Sequence, residues 1–113
     1  MGRGKMINNK NVYVPDSFIE IICDKKKIMI NMSEILYIER NSRKIRIVTK
    51  NENYECYDTL KSMQERLPKN FVRCHTGYIA NMDYVTSIHS RYLVLKDGTN
   101  ISIGRTFKGV VAR

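Results

Sequence analysis

The 113-residue sequence lacks features that would place it in several other protein classes. It has no tryptophan, only two prolines, and no apolar run near the roughly 20 residues of a membrane-spanning helix. Its three cysteines (Cys23, Cys56 and Cys74) are odd in number and without a C-x-x-C pair, which argues against a disulfide framework or a zinc knuckle. The N-terminus has no apolar signal-peptide core. We therefore expect a soluble, cytoplasmic protein with no membrane association, no metal and no cofactor.

Groups that could carry catalysis are also scarce. The chain has two histidines, and of these only His75 stands beside a cysteine. Neighbouring side chains in an extended segment point to opposite faces, so Cys74 and His75 cannot easily share a proton or a metal ion. Without a set of acid, base and nucleophile, we expect that the protein is not an enzyme.

Acidic residues are few relative to basic ones. Lysine and arginine total 20 against 11 aspartate and glutamate, which gives a net charge of +9 and a pI of about 9.6. An excess of this size points to nucleic acid or another anionic partner. Eight of these basic residues fall in two patches without intervening acids, one central (Arg40, Arg43, Lys44, Arg46, Lys50) and one C-terminal (Arg105, Lys108, Arg113).

Alternating polarity predicts a mainly β fold. The runs SFIEIIC and KIMINM predict one hairpin, and ILYIER and KIRIVT predict a second with turn residues at 41–43. Further strands are expected at 54–57, in VTSIHS and YLVL, and in ISI after an Asp-Gly turn. The strand from Ile35 to Arg40 is apolar on both faces, which is typical of a strand between two layers. We expect residues 1–16 to be a flexible lead-in or an expression remnant and residues 17–113 to form one domain.

The run DTLKSMQERLP predicts the clearest helix. Asp58 is a candidate N-cap, and Pro68 ends the pattern. Leu60, Met63 and Leu67 fall on one face, which favours packing against a sheet. The final RTFKGVVAR is expected to be a short helix or a tail.

The run FVRCHTGYIAN, residues 71–81, starts as a strand and is then interrupted by His75, Thr76 and Gly77. One interpretation is a β-bulge or connecting loop with a hydrogen-bonded histidine. The other is an exposed bend with a functional role, since binding residues concentrate on loops held by a rigid scaffold.

Several spaced motifs, read together, favour the second interpretation. EILYIE precedes a helix of the form T-L-x-x-M-x-x-x-L, then FVRCHTGYIAN, and finally GTNISIGR. In this order, over about 90 residues, they resemble the LytTR family of DNA-binding domains from bacterial response regulators. The resemblance implies a β sandwich of about ten short strands in stacked sheets, with one or two short flanking helices.

The resemblance also implies double-stranded DNA binding through loops in successive major grooves. Carried over position by position, the base-contacting residues become Arg43, Thr76 and Arg105. An arginine can present its fork to guanine O6 and N7, whereas threonine offers only a hydroxyl and a methyl group. Other loop residues are expected to contact phosphate or support the loops: Asn41, Ser42, Lys44, His75, Gly77, Thr106 and Lys108. For His75 we expect a bracing hydrogen bond, while Arg73 points elsewhere.

As a family member, the protein is expected to regulate transcription as the effector domain of a two-component response regulator. It would bind paired direct repeats, as a monomer alone or as two copies on DNA. Family proteins usually carry a receiver domain, so we expect either an effector domain excised from a longer protein or a regulator that stands alone. The sequence departs from the family pattern at Thr76-Gly77, at Ala80 and in a hairpin that is about one residue short at 41–43.

Two other functions fit the composition. A β-rich module for single-stranded nucleic acid or RNA would use Tyr54, Tyr57, Tyr78 and Tyr92 as stacking platforms. Alternatively, a protein-interaction domain would carry the positive charge for solubility. The tyrosines lie in alternating patterns that suit a core and sheet edges better than a stacking surface.

Overall fold

The structure is a computed structural model that describes residues 4–7, 12–15 and 17–111. Ten strands lie between residues 17 and 111, which confirms the predicted mainly β fold. The strands are β1 (Gly4–Ile7), β2 (Val12–Pro15), β3 (Phe18–Cys23), β4 (Lys26–Asn31), β5 (Ile35–Asn41), β6 (Lys44–Thr49), β7 (Asn53–Tyr57), β8 (Phe71–His75), β9 (Tyr78–Asn81), β10 (Val85–Ile88), β11 (Tyr92–Leu95) and β12 (Asn100–Ser102). The helices are α1 (Leu60–Arg66) and α2 (Lys108–Val111), with 3-10 turns at Met32–Glu34, Met82–Tyr84 and Arg105–Phe107.

An antiparallel five-stranded sheet in the order β7-β6-β5-β9-β8 forms the centre of the molecule. The β3–β4 hairpin is a separate two-stranded sheet, and β10, β11 and β12 form a three-stranded antiparallel sheet. In the β3–β4 turn both central residues, Asp24 and Lys25, have positive φ, the pattern of a type I′ turn. Both predicted hairpins are therefore present, and within the central sheet β5 also pairs with β9.

Two hydrophobic clusters lie on opposite faces of the five-stranded sheet. The first is formed with the β3–β4 hairpin and α1 and includes Ile38 and Met63. The second is formed with the three-stranded sheet and α2 and includes Leu36 and Leu93. Ile35 also lies in the first cluster and its neighbour Leu36 in the second, as expected from a strand that is apolar on both faces. The sheets are stacked in layers, and the central sheet is covered on each side.

Helix α1 packs as predicted but begins one residue later than expected. Its N-cap is Thr59, whose hydroxyl oxygen accepts a hydrogen bond from the Ser62 N–H at 3.0 Å. The assignment of Asp58 as N-cap is therefore wrong: its carboxylate instead accepts from the Thr59 N–H at 2.8 Å. Leu60 and Met63 are buried in the first cluster, as the helical spacing predicted.

The ends of the chain leave two expectations open. The described part of segment 1–16 contains an antiparallel pair, β1 with β2. The remaining residues of that segment, and residues 112 and 113, lie outside the described residues, so the domain bounds stay a prediction. No helix in the described ranges is long and apolar enough to cross a membrane.

Candidate nucleic-acid interface

The first predicted loop is the tip of the β5–β6 hairpin, residues 41–44, which we call the tip loop. Asn41 and Lys44 are paired across the strands, and Ser42 and Arg43 form a two-residue turn. Ser42 has φ of 63°, and in this turn only the first central residue has positive φ, as in a type II′ turn. Arg43 is exposed at the end of this turn. The tight turn therefore presents a guanidinium group to solvent on a short, well-defined backbone.

Side-chain contacts hold the base of the tip loop. The Asn41 amide donates to the Glu55 carboxylate on β7 at 3.1 Å. The Lys44 ammonium lies 4.9 Å from the centre of the Tyr57 ring, also on β7. These contacts leave Arg43 and Ser42 as the outermost groups of the loop.

The second predicted loop, which we call the bulge turn, is the connection His75–Gly77 between β8 and β9. The pairing shifts between Arg73 and His75, so Cys74 is an extra residue on β8, which explains the break in the strand pattern. The Gly77 N–H donates to His75 Nδ1 at 3.0 Å. His75 therefore forms the bracing hydrogen bond that was expected, and the Gly77 donor is already engaged within the loop.

Arg73 stabilises the bulge turn and does not point elsewhere, so that expectation was wrong. Its guanidinium donates through Nε to the His75 carbonyl at 3.0 Å and through a terminal nitrogen to the Thr76 carbonyl at 2.8 Å. It also lies 6.0 Å from the centre of the Phe107 ring. One cation thus donates to the carbonyls of two consecutive peptide units and contacts the chain after β12. Residue types alone do not indicate this role of Arg73, because the acceptors are main-chain carbonyls.

The third predicted loop, the terminal segment, runs from Gly104 to Lys108. The Gly104 N–H donates to the Cys74 carbonyl at 2.8 Å, which joins the segment to the end of β8. A side chain at Gly104 would place its Cβ 3.0 Å from the Phe107 ring and 3.5 Å from His75 Cα. The absence of a side chain there therefore permits close approach. Beyond it, the 3-10 turn exposes Arg105 and Thr106, and Lys108 is exposed at the start of α2.

The structure brings the three loops together at one end of the central sheet. The Arg40 N–H, at the base of the tip loop, donates to the Gly77 carbonyl at 2.9 Å. The Gly104–Cys74 hydrogen bond joins the bulge turn to the terminal segment. We call this continuous arrangement of the tip loop, the bulge turn and the terminal segment the loop row. The tip loop lies between β6 and β5, the bulge turn between β9 and β8, and the terminal segment beyond β8. Counting one strand spacing for each step across the sheet gives about 10 Å from the tip loop to the bulge turn and about 17 Å to the terminal segment.

The loop row carries positive charge without internal neutralisation. Among the described residues, the two ion pairs are Lys27 with Glu20 and Arg46 with Glu39, and neither lies at a loop tip. The hydrogen bond that Arg46 donates to the Glu39 carboxylate raises the pKa of Arg46, which keeps that pair charged. Arg43, Arg105 and Lys108 are therefore left to attract an external anion.

Cys74, which stands beside His75 in the sequence, is part of the core. Its side chain is fully buried, and burial raises the pKa of the thiol to about 11. Near neutral pH it is a protonated, unreactive packing group rather than a nucleophile. In the bulge turn, His75 therefore hydrogen-bonds to the loop backbone, whereas Cys74 packs in the second cluster.

Comparisons with known proteins identify the family of this chain. A family model described as the LytTr DNA-binding domain matches residues 25–112. Sensory transduction protein LytT of Bacillus cereus is 28% identical over 107 residues, which cover 89% of this chain and 44% of that protein. LytT of Bacillus anthracis is 31% identical over 86 residues, covering 71% of this chain and 35% of that protein. The chain thus spans less than half the length of these curated relatives.

A solved LytTr DNA-binding domain from Bacillus cereus has the same fold. It aligns with a TM-score of 0.72 at 20% identity, covering 83% of this chain and 92% of that one. At this identity the likeness concerns the fold alone, whereas the family model spans most of the chain by sequence. The chain therefore belongs to the LytTr DNA-binding domain family, a family of DNA-binding domains in transcription regulation.

Proposed function

We propose that this domain binds double-stranded DNA sequence-specifically through the loop row. The observation that supports this most directly is the continuity of the three loops at one end of the sheet, joined by the Arg40–Gly77 and Gly104–Cys74 hydrogen bonds. Arg43 and Arg105 lie on its two outer loops, with Thr76 between them. The loops of Arg43 and Arg105 are roughly 17 Å apart, and each extended side chain lengthens the span between the two guanidinium groups. That span approaches the roughly 34 Å repeat of the duplex, so the two arginines can enter successive major grooves.

The loop residues have different roles in this proposal. Arg43 and Arg105 read bases through bidentate hydrogen bonds, each contributing about 1 to 3 kcal/mol of discrimination, and Thr76 reads more weakly. Asn41, Ser42, Lys44, Thr106 and Lys108 contact phosphates and fix the register. His75 and Gly77 support the bulge turn, because their hydrogen bond to each other uses the Gly77 donor.

The domain acts, in this proposal, as the effector part of a cytoplasmic two-component response regulator. Its curated relatives are more than twice as long, so the remainder of such a protein has room for a receiver domain. Two copies would bind paired direct repeats, each copy placing one loop row on one repeat. DNA binding by exposed side chains requires no metal or cofactor, and the proposal includes no catalytic step.

A single-stranded nucleic-acid module is less well supported by the tyrosine environments. The Tyr92 ring is stacked on His89 with 4.6 Å between ring centres, and Tyr78 packs edge-on to His75. Tyr54 packs against the first cluster and donates to Glu52 at 2.8 Å. Of the four candidates, Tyr57 is the one that is largely exposed, at 75%. One exposed ring does not form a stacking platform for successive bases.

Competition binding tests the proposal. A duplex selected from a random library should outcompete random duplex and single strands, and Arg105→Ala or Arg43→Ala should reduce that preference. Lys108→Ala should instead weaken all duplexes alike and lower the slope of log K against log salt by about 0.9. Lys50→Ala, at the opposite end of the sheet, is the control for lost charge. Preference for single strands, or unchanged selectivity in both arginine variants, would contradict the proposal.

A further inference from the structure

The connection between β10 and β11, residues 89–91, lies against the far side of the terminal segment. The Ile103 N–H donates to the Arg91 carbonyl at 2.8 Å, and Ile103 immediately precedes Gly104. His89 and Ser90 line a small cleft together with Lys108. The 89–91 loop therefore extends the loop row by one more element, next to Arg105 and away from the bulge turn.

Local contacts give this loop a fixed conformation. The His89 N–H donates to the Tyr92 carbonyl at 2.8 Å, and the two rings stack with an interplanar angle of 21°. His89 Nε2 and the Ser87 hydroxyl are 3.0 Å apart, within hydrogen-bond distance. A loop held by both backbone and side-chain contacts loses little conformational entropy when it binds a partner.

The exposed groups of the loop suit an anionic partner. His89, Ser90 and Arg91 are all exposed. In the described part of the chain, no carboxylate forms an ion pair with Arg91. A guanidinium beside a hydroxyl and a nearby lysine matches the chemistry of a phosphate oxygen.

We propose that the 89–91 loop is a fourth DNA-contacting element, in which Arg91 binds a backbone phosphate beside the bases read by Arg105. This inference rests on the proposed DNA-binding function. The 89–91 loop lies at the end of the loop row, beyond Arg105. The sugar–phosphate backbone borders the major groove that Arg105 enters in this proposal, so a phosphate lies next to the 89–91 loop. Contacts of this kind add affinity and fix orientation without reading sequence.

The test measures duplex binding at several salt concentrations for the wild type, Arg91→Ala, Arg91→Lys and the control Lys50→Ala. Arg91→Ala should bind both selected and random duplexes about threefold to tenfold more weakly. Its salt slope should fall by about 0.9, and Arg91→Lys should retain the slope. Lys50→Ala should leave both quantities close to the wild type. Because the Arg91 side chain is exposed, thermal unfolding should show that all variants fold.

The possible outcomes separate this inference from the proposed function. If the wild type prefers its selected duplex but Arg91→Ala matches Lys50→Ala in affinity and slope, the fourth contact is overturned and the loop row stands. A loss confined to the selected duplex would overturn the phosphate assignment, because it would indicate base reading. A wild type without preference for any duplex would overturn the proposed function, and this inference with it.

Discussion

Arg73 provides the most informative single perturbation of the loop row. It contacts the bulge turn and the terminal segment at once, through two main-chain carbonyls and the Phe107 ring. We expect that it positions Thr76 and Arg105 without contacting DNA itself. Arg73→Lys keeps the charge but cannot donate to both carbonyls from one planar fork, and Arg73→Ala removes every contact.

The magnitude follows from these contacts. The partly buried bond to the His75 carbonyl contributes about 1.5 kcal/mol, at the low end for a charged donor. The exposed bond to the Thr76 carbonyl contributes about 0.5 kcal/mol after solvent screening, and the contact with Phe107 about 0.5 kcal/mol more. These contributions total about 2.5 kcal/mol, which is the largest free energy by which Arg73→Ala can favour a disordered loop. The corresponding loss of affinity is at most about 60-fold. Arg73→Lys should lose roughly half of that free energy.

The assay is fluorescence anisotropy with a selected duplex across a salt series, together with amide hydrogen exchange at Gly77. Both Arg73 variants should bind more weakly with an unchanged salt slope, and the Gly77 N–H should exchange faster because the bulge turn opens. Lys50→Ala again controls for net charge. Wild-type affinity in Arg73→Lys, with a slope lowered by about 0.9 in Arg73→Ala, would refute the positioning role and indicate a phosphate contact instead.

Three further predictions concern the scaffold. Asn81→Leu should lower the free energy of unfolding by about 2 to 4 kcal/mol, measured by urea titration. Asn81 is fully buried and donates to the Ile35 carbonyl at 2.8 Å, so the substitution leaves that carbonyl without its partner. A loss below about 1 kcal/mol would contradict this expectation. The free energy of unfolding should fall as pH rises from about 9 towards about 11, and Cys74 should contribute up to about 1.4 kcal/mol per pH unit. In the unfolded chain its thiol ionises near its ordinary pKa, whereas in the folded protein burial raises the pKa to about 11 and keeps the thiol protonated. The same titration of Cys74→Ala should show a shallower decline. Gly104→Ala should weaken duplex binding severalfold while lowering the free energy of unfolding by about 1 kcal/mol or less, since the added Cβ displaces the Phe107 ring by a few tenths of an ångström. Wild-type binding in this variant would argue against a requirement for the close approach of Gly104 to Phe107.

Local patterns predicted the elements of this fold better than their arrangement. Alternation and turn chemistry specified the β3–β4 and β5–β6 hairpins, because both signals arise within a few residues. The N-cap of α1 was misplaced by one position, since Asp58 and Thr59 are both good capping residues and local sequence does not decide between them. The order of the central sheet depends on β5 pairing with β9, where Glu39 opposes Tyr78 across a long stretch of chain. No local signal specifies that pairing.

The candidate site shows the same division. Family motifs indicated three loops, and the structure places those loops side by side, but the contacts that hold them could not be read from residue types. Arg73 bonds to carbonyl oxygens, which every residue possesses, so its role depends on the folded course of the bulge turn. The 89–91 loop was not predicted because the Ile103–Arg91 backbone bond and the cleft shared with Lys108, which place it beside the terminal segment, cannot be read from residue types.

The two-sided burial of the central sheet explains how recognition and stability can be separated in this domain. Ile38 and Leu36 fix the sheet between two clusters, while Arg43, Thr76 and Arg105 are exposed at its end and contribute little to the core. Substitutions at exposed tips usually change stability by less than about 0.5 kcal/mol, so they should alter DNA binding alone. Arg73 lies between these groups and should change both. In the proposed function, a domain built in this way would acquire a new target sequence by exchanging tip residues, provided that Arg73 and the hydrogen bonds that connect the loops are kept.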